Sequence, residues 1–175
     1  TATKRADKTA KEGAIKIALS DDKKSAVMIE LNCETDFVSK GEGFQTLSDK
    51  IAKIGLENNT TDIGSLLKAK ADGSLTVKDE IDSMMSSVGE KIELRRVKYL
   101  NIPNGFISTY VHFGNKLGGM IAVEGKISEE ALDLGKKIAI QLVAMNPIAL
   151  NREGIPAETI EKEKEIYITV AKNEN

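Results

Sequence analysis

The side chains able to do chemistry are few, and they do not gather into a reactive set. His112 is the only histidine and Cys33 the only cysteine among 175 residues. No Cys, His or carboxylate cluster stands at metal-ligand spacing from His112, and a zinc site needs several ligands. Gly41-Glu42-Gly43 and Gly118-Gly119 lack the glycine spacing and the strand–loop–helix setting of a phosphate loop. Nor does any motif pair a nucleophile with a base, although scattered acids leave an enzyme among the readings to be weighed. What is left is the chemistry of binding. Thr35 and Asp36 each carry a side-chain oxygen able to cap free N–H groups at a helix start, and Phe37 follows directly, in what is then a first helical turn.

The elements around this corner are legible from periodicity. Val27, Ile29, Leu31 and Cys33 alternate with Met28, Glu30 and Asn32, the pattern of a strand with one buried face. Phe44, Leu47, Ile51 and Ile54 recur at three and four, an amphipathic helix over 42–57. By spacing alone Phe37, Phe44 and Ile51 share one buried face, but Gly41 and Gly43 interrupt that pattern. Cys33 reads as a small buried hydrophobe, His112 as a hydrogen-bonded hairpin histidine, and Met84 and Met85 as core. Ile15, Ile17 and Leu19 alternate with Lys16 and Ala18, and the polar turn 21–25 makes 13–33 a β-hairpin. Thr61 caps a short helix with Ile63, Leu66 and Leu67. Thr76-Val77-Lys78-Asp79 is a capping box, opening a helix with Ile81, Met84, Met85 and Val88. Gly89 closes it with positive φ. A strand over 91–99 follows, with a bulge near Arg96.

A repeat lies inside the chain. Laying Gly105 on Gly13 superposes Ile107 on Ile15, Lys116 on Lys24, Met120 on Met28 and Ile121 on Ile29 without a gap. A helix capped by Ser128 and bearing Leu132, Ile138, Ala139, Leu142 and Val143 follows the second hairpin. Asn146-Pro147 breaks that helix, and Ile155-Pro156 opens a charged C-terminal one. No closing strand follows the second copy. The expected class is α+β: two related subdomains, each a small antiparallel hairpin-based sheet packed by helices, the second incomplete, plus a C-terminal helix. The boundaries are 1–12 for a basic linker, 13–103 and 104–150 for the subdomains, and 151–175 for the last helix.

Composition bounds function. The chain is 41% hydrophobic but only 4% aromatic with no Trp, so the core is aliphatic. No apolar run approaches the roughly 18–20 residues that span a bilayer, and no signal peptide is visible. A single cysteine suits a reducing compartment, and a cytoplasmic location is expected. A net charge of −2 argues against nucleic acid, and Lys4, Arg5, Lys8 and Lys11 read as a solvated lead-in. Scarce aromatics also disfavour base stacking. The chain begins without Met, which suggests a fragment or a processed product.

The run Leu31-Asn32-Cys33-Glu34-Thr35-Asp36-Phe37-Val38 closely resembles the signature of the elongation factor Ts family, the exchange factors of elongation factor Tu. Lys8-Thr9-Ala10-Lys11-Glu12-Gly13 resembles the segment leaving the family's N-terminal helical domain. Val88-Gly89-Glu90-Lys91-Ile92-Glu93-Leu94-Arg95-Arg96 resembles its double-arginine strand, and Tyr110 to Gly118 its second hairpin, where Gly-Arg is commoner than Asn115-Lys116. Met145-Asn146-Pro147 and Ile155 to Tyr167 resemble the start of its coiled-coil arm. The resemblance implies a guanine nucleotide exchange factor of translation elongation, not an enzyme, that binds GDP-bound elongation factor Tu and displaces its magnesium ion. It implies Thr35, Asp36, Phe37 and Val38 as the partner-binding residues for that displacement, and His112 as a contact from the second hairpin. No cofactor, metal, membrane or direct nucleic-acid partner is expected. Self-association as a homodimer through the core is a further expectation, since short members of the family pair this way. The resemblance also implies that the N-terminal helical domain and most of the coiled coil lie outside this chain. The competing reading is a non-catalytic α+β module that binds RNA or another protein.

Overall fold

A computed structural model describes residues 10–173, so Lys4, Arg5 and Lys8 of the basic lead-in lie outside the described residues. Strand β1 (Glu12–Leu19) pairs antiparallel with β2 (Ser25–Cys33), and β5 (Ile92–Asn101) lies on the other side of β2. The β2–β5 register jumps between Glu30↔Arg96 and Leu31↔Leu94. Arg95 is therefore the extra residue of a bulge, as the spoiled alternation there suggests.

Between β2 and β5 come α1 (Asp36–Lys40), α2 (Glu42–Glu57), α3 (Ile63–Lys68) and α4 (Val77–Val88), with a small hairpin of β3 (Lys70–Asp72) and β4 (Leu75–Thr76) ahead of α4. That hairpin is too short to show in periodicity. The capping box of α4 forms as expected, with Thr76 and Asp79 bonding reciprocally. Gly89 ends the helix at φ 77°. At α3 the cap is Asp62 and not Thr61: the Asp62 carboxylate accepts the Ser65 N–H at 2.8 Å, and Thr61 stands one residue too early. Phe44, Leu47, Ile51 and Ile54 of α2 lie in one buried cluster with Val27, Ile29, Leu31 and Cys33, and Met84 and Met85 pack against it.

The apolar face of β1 points away from α2. Ile15, Ile17 and Leu19 do not join that cluster. Their cross-strand partners are Glu30, Met28 and Ala26, whereas Ala14 and Ala18 pair with Leu31 and Val27. It is therefore Ala14 and Ala18 that sit in the main core, while Leu19 packs with Ala26, Ile102 and Ile107 in a second cluster. Lys16, on the helix side, lays its stem along the sheet and reaches Asp49 at 2.9 Å.

The second hairpin explains why the bulky apolar residues of β1 point away from α2. Strands β6 (Gly105–Val111) and β7 (Gly118–Glu124) pair antiparallel and press one face onto the first sheet. A Cβ on Gly118 would stand 2.6 Å from Ile15 Cγ2. The other face takes α5 (Glu129–Met145), whose Gly135 lies against Ser108 and Phe106. Ser128 caps α5 through the Ala131 N–H at 3.1 Å. Leu132, Ala139, Leu142 and Val143 are at least half-buried as expected, but Ile138 is exposed. The internal repeat is physical as well as textual. A Cβ on Gly13 would fall 2.2 Å from the Leu31 carbonyl oxygen, and one on Gly105 2.0 Å from that of Val123. These are equivalent atoms under the alignment of Gly105 on Gly13, so both hairpins need glycine where the strands cross closest.

The class is α+β with small antiparallel sheets. Among the described residues the second sheet has only β6 and β7, so this copy is the incomplete one. Residues from Ala144 onward form a separate compact unit. It contains a 3-10 turn at Arg152–Gly154 and α6 (Ala157–Asn173), which buries no side chain. Among the described residues no helix is long and apolar enough to cross a membrane.

Candidate functional site

The corner after β2 is built by its own polar side chains. Thr35, extended at φ −120° and ψ 154°, is the N-cap of α1, and its Oγ1 accepts the Val38 N–H at 3.4 Å. Of the two residues able to cap, Thr35 does so. Asp36 lies exposed and pairs with Lys40 at 2.7 Å, and the hydrogen bond from Lys40 holds its carboxyl below the usual carboxylate range. Gly41 stops α1 at φ −64° and ψ 139°, so the helical phase does not run from Phe37 to Phe44. The shared face that the seven-residue spacing suggests is absent for this reason.

Val38 and Ser39 point inward, Ser39 fully buried and Val38 packed on the main core. Phe37 is thereby turned outward and is 85% exposed, against 2% for Phe44. Beside it runs an open groove of about 1010 Å³, lined by Phe37, Val38, Phe44, Leu47, Met84 and Val88 among others. A large aromatic on a short, capped helix, with apolar surface next to it, is suited to packing and not to bond making.

His112 sits at the turn joining β6 to β7. Its N–H donates to the Leu117 carbonyl at 2.8 Å, and the Asn115 N–H donates to the His112 carbonyl at 2.9 Å. Gly114 and Asn115 take the positive φ values of 86° and 57° that close this turn. The exposed imidazole has the Tyr110 hydroxyl 2.9 Å from Nδ1. Next to it Phe113 is 96% exposed.

Hydrogen bonds tie the two places together. Gln45 Nε2 donates to the Ser39 carbonyl at 2.5 Å, and Asn115 Nδ2 donates to Gln45 Oε1 at 2.9 Å. The Asn115 carbonyl accepts the Ile15 N–H at 2.6 Å. The α1 corner and the second-hairpin turn are thus joined through Gln45 into one polar-linked surface. Sequence reasoning passed over Phe113, Gln45 and Asn115. An aromatic directly before Gly114-Asn115, in no apolar period, was a signal for the first; the other two carry none.

Among the described residues no group of His, Cys, Asp and Glu could hold a metal ion. Cys33 is buried, and burial, with the Glu90 and Glu12 charges, pushes its thiol up to about 11. It is the small hydrophobe that its strand position suggests.

A family profile described as Elongation factor TS matches residues 34–175. Elongation factor Ts of Chlorobaculum parvum is 46% identical over 169 residues, which cover 95% of this chain and 59% of that relative. The Chlorobaculum tepidum protein of the same name is 43% identical over the same shares. One from Clostridium botulinum is 35% identical over 174 residues, 99% of this chain and 57% of the relative. The chain therefore spans somewhat over half the length of these curated relatives.

Proposed function

The chain belongs to the elongation factor Ts family, and from that premise we propose that it is a guanine nucleotide exchange factor for elongation factor Tu. It binds the GDP-bound partner in the cytoplasm, promotes GDP release by displacing the magnesium ion, and makes or breaks no covalent bond itself. The observation that carries this reading is Phe37, 85% exposed at the start of a capped helix. The capped helix fixes the direction of its Cα–Cβ bond, so docking has only the side-chain rotamer to order.

The thermodynamics are those of negative coupling. Factor and nucleotide each lower the other's affinity by the same ratio, and each tenfold of weakening needs about 1.4 kcal/mol. A phenylalanine side chain moved from water into an apolar cleft contributes about 1.5–3 kcal/mol. If the partner opens that cleft only by disturbing its metal and phosphate contacts, this energy is set against GDP binding. The test is release of labelled GDP from elongation factor Tu with and without the chain. Faster release is expected; an unchanged rate at saturating chain would sink the proposal.

His112 supplies a second contact in this reading. His112→Ala is expected to weaken partner binding in a titration while shifting unfolding free energy by no more than about 0.5 kcal/mol, as for other surface changes. A large stability loss with intact binding by the folded fraction would make the residue structural. Pairing of two copies through the core belongs to the same proposal. With no third strand beside β6 and β7 among the described residues, an unpaired edge is available to another chain. Amides of 106–124 are expected to exchange faster than those of 14–33 at low concentration and to gain protection on dimerisation. Equal protection of both hairpins in a demonstrated monomer would contradict this.

A further inference from the structure

The β2–β5 ladder ends at Cys33↔Ile92. Just past that end, side chains accept the backbone N–H groups of Lys91 and Thr35. The Lys91 N–H donates to Glu34 Oε1 at 2.7 Å, and the Thr35 N–H donates to Glu90 Oε2 at 3.0 Å. Glu90 Oε1 also accepts the Thr35 hydroxyl at 2.7 Å. We propose that Glu90 is a positioning residue, its carboxylate clamping Thr35 at two points so that α1 presents Phe37 to the partner in one orientation; this rests on the exchange-factor reading above.

The physical need is plain. Helix α1 has five residues, and a helix so short has no stability of its own. Its far end is pinned by Gln45 at Ser39; its near end is held at Thr35, whose carbonyl also accepts the Cys33 thiol at 3.2 Å. Carboxylate acceptors make the stronger, charge-assisted kind of hydrogen bond. With its proton given to Glu90, the Thr35 hydroxyl turns a lone pair to the Val38 N–H, and donation in one direction strengthens acceptance in the other. Glu90 reaches this place because Gly89, at φ 77°, turns the chain sharply out of α4. The residue that orients Phe37 thus comes from 53 positions further along the sequence, through a fold contact.

Two readouts test it. Without any partner, amide hydrogen exchange is compared in wild type, Glu90→Ala and Glu90→Gln. Glu90→Ala is expected to speed exchange at Thr35 and Val38 about tenfold or more, a change corresponding to loss of one or two such bonds, while Leu31 in the core keeps its protection. Glu90→Gln, which can still accept the Thr35 N–H, is expected to restore part of it. Unchanged exchange at Thr35, or uniform acceleration that includes Leu31, would overturn the proposal. With elongation factor Tu present, Glu90→Ala is expected to lower stimulated GDP release about tenfold when Phe37 is intact and less than about twofold in a Phe37→Ala background, because neighbours acting as a unit are not additive. Equal factors in both backgrounds would also overturn it. Failure of the wild-type chain to stimulate release would instead strike the exchange-factor reading, while the partner-free arm still decides whether Glu90 holds the corner.

Discussion

Phe37→Ala is expected to slow factor-stimulated GDP release from elongation factor Tu by about tenfold or more, if the ring contributes the 1.5–3 kcal/mol of a buried phenylalanine to the coupling. Its folding stability should change by about 0.5 kcal/mol or less, since the side chain is 85% exposed and leaves no cavity in the chain. The alanine keeps the α1 backbone, the Thr35 cap and the Asp36–Lys40 pair. The measurement is paired: labelled-GDP release at several factor concentrations, and denaturant unfolding of the free chain. Phe37→Leu should recover part of the rate, because it returns apolar area without the ring. Wild-type exchange by Phe37→Ala, or unfolding at markedly lower denaturant, would show that the ring is not the wedge.

Phe44→Ala is expected to show the reverse. Phe44 is 2% exposed in the cluster of Leu31, Ile51 and Ile81, and truncating a core phenylalanine costs about 3–5 kcal/mol through lost transfer energy and a residual cavity. That is a large part of the roughly 5–15 kcal/mol by which a small domain is stable. The unfolding midpoint should fall steeply. Exchange activity per folded molecule should fall less than for Phe37→Ala, because Phe44 is buried and offers little surface to another molecule. A stable Phe44→Ala protein would mean that the space beside α4 collapses without cost. Phe37 and Phe44 stand seven positions apart with opposite exposure, and a single helix break at Gly41 divides them.

That division marks the boundary between what local sequence determines and what it does not. The alternation of Val27, Ile29, Leu31 and Cys33, the three-and-four spacing of Phe44, Leu47, Ile51 and Ile54, the Thr76 capping box and the left-handed Gly89 all act within a few residues, so the elements were legible before any coordinates. The repeated hairpins were legible too, because glycine is demanded at both Gly13 and Gly105 by the same close carbonyl approach. The family resemblance was carried by the Leu31–Val38 run and its companions. Periodicity did not reveal which face of β1 is inner. The alternation of Ile15, Ile17 and Leu19 marks an apolar face but not what covers it: Ile15 and Leu19 are partly buried toward the second hairpin, away from α2. Nor could spacing place Phe37. Its outward direction comes from Ser39 and Val38 taking the inward positions, and the hold on its helix comes from Glu90 and Gln45, whose partners are distant in the chain or set by the turn at Asn115. Short-range rules decide elements because caps and periods are local free energies. The corner that presents the aromatic is completed only once β2, β5 and the second hairpin have met, because the bonds from Glu90 and, through Gln45, from Asn115 need atoms that other parts of the chain bring.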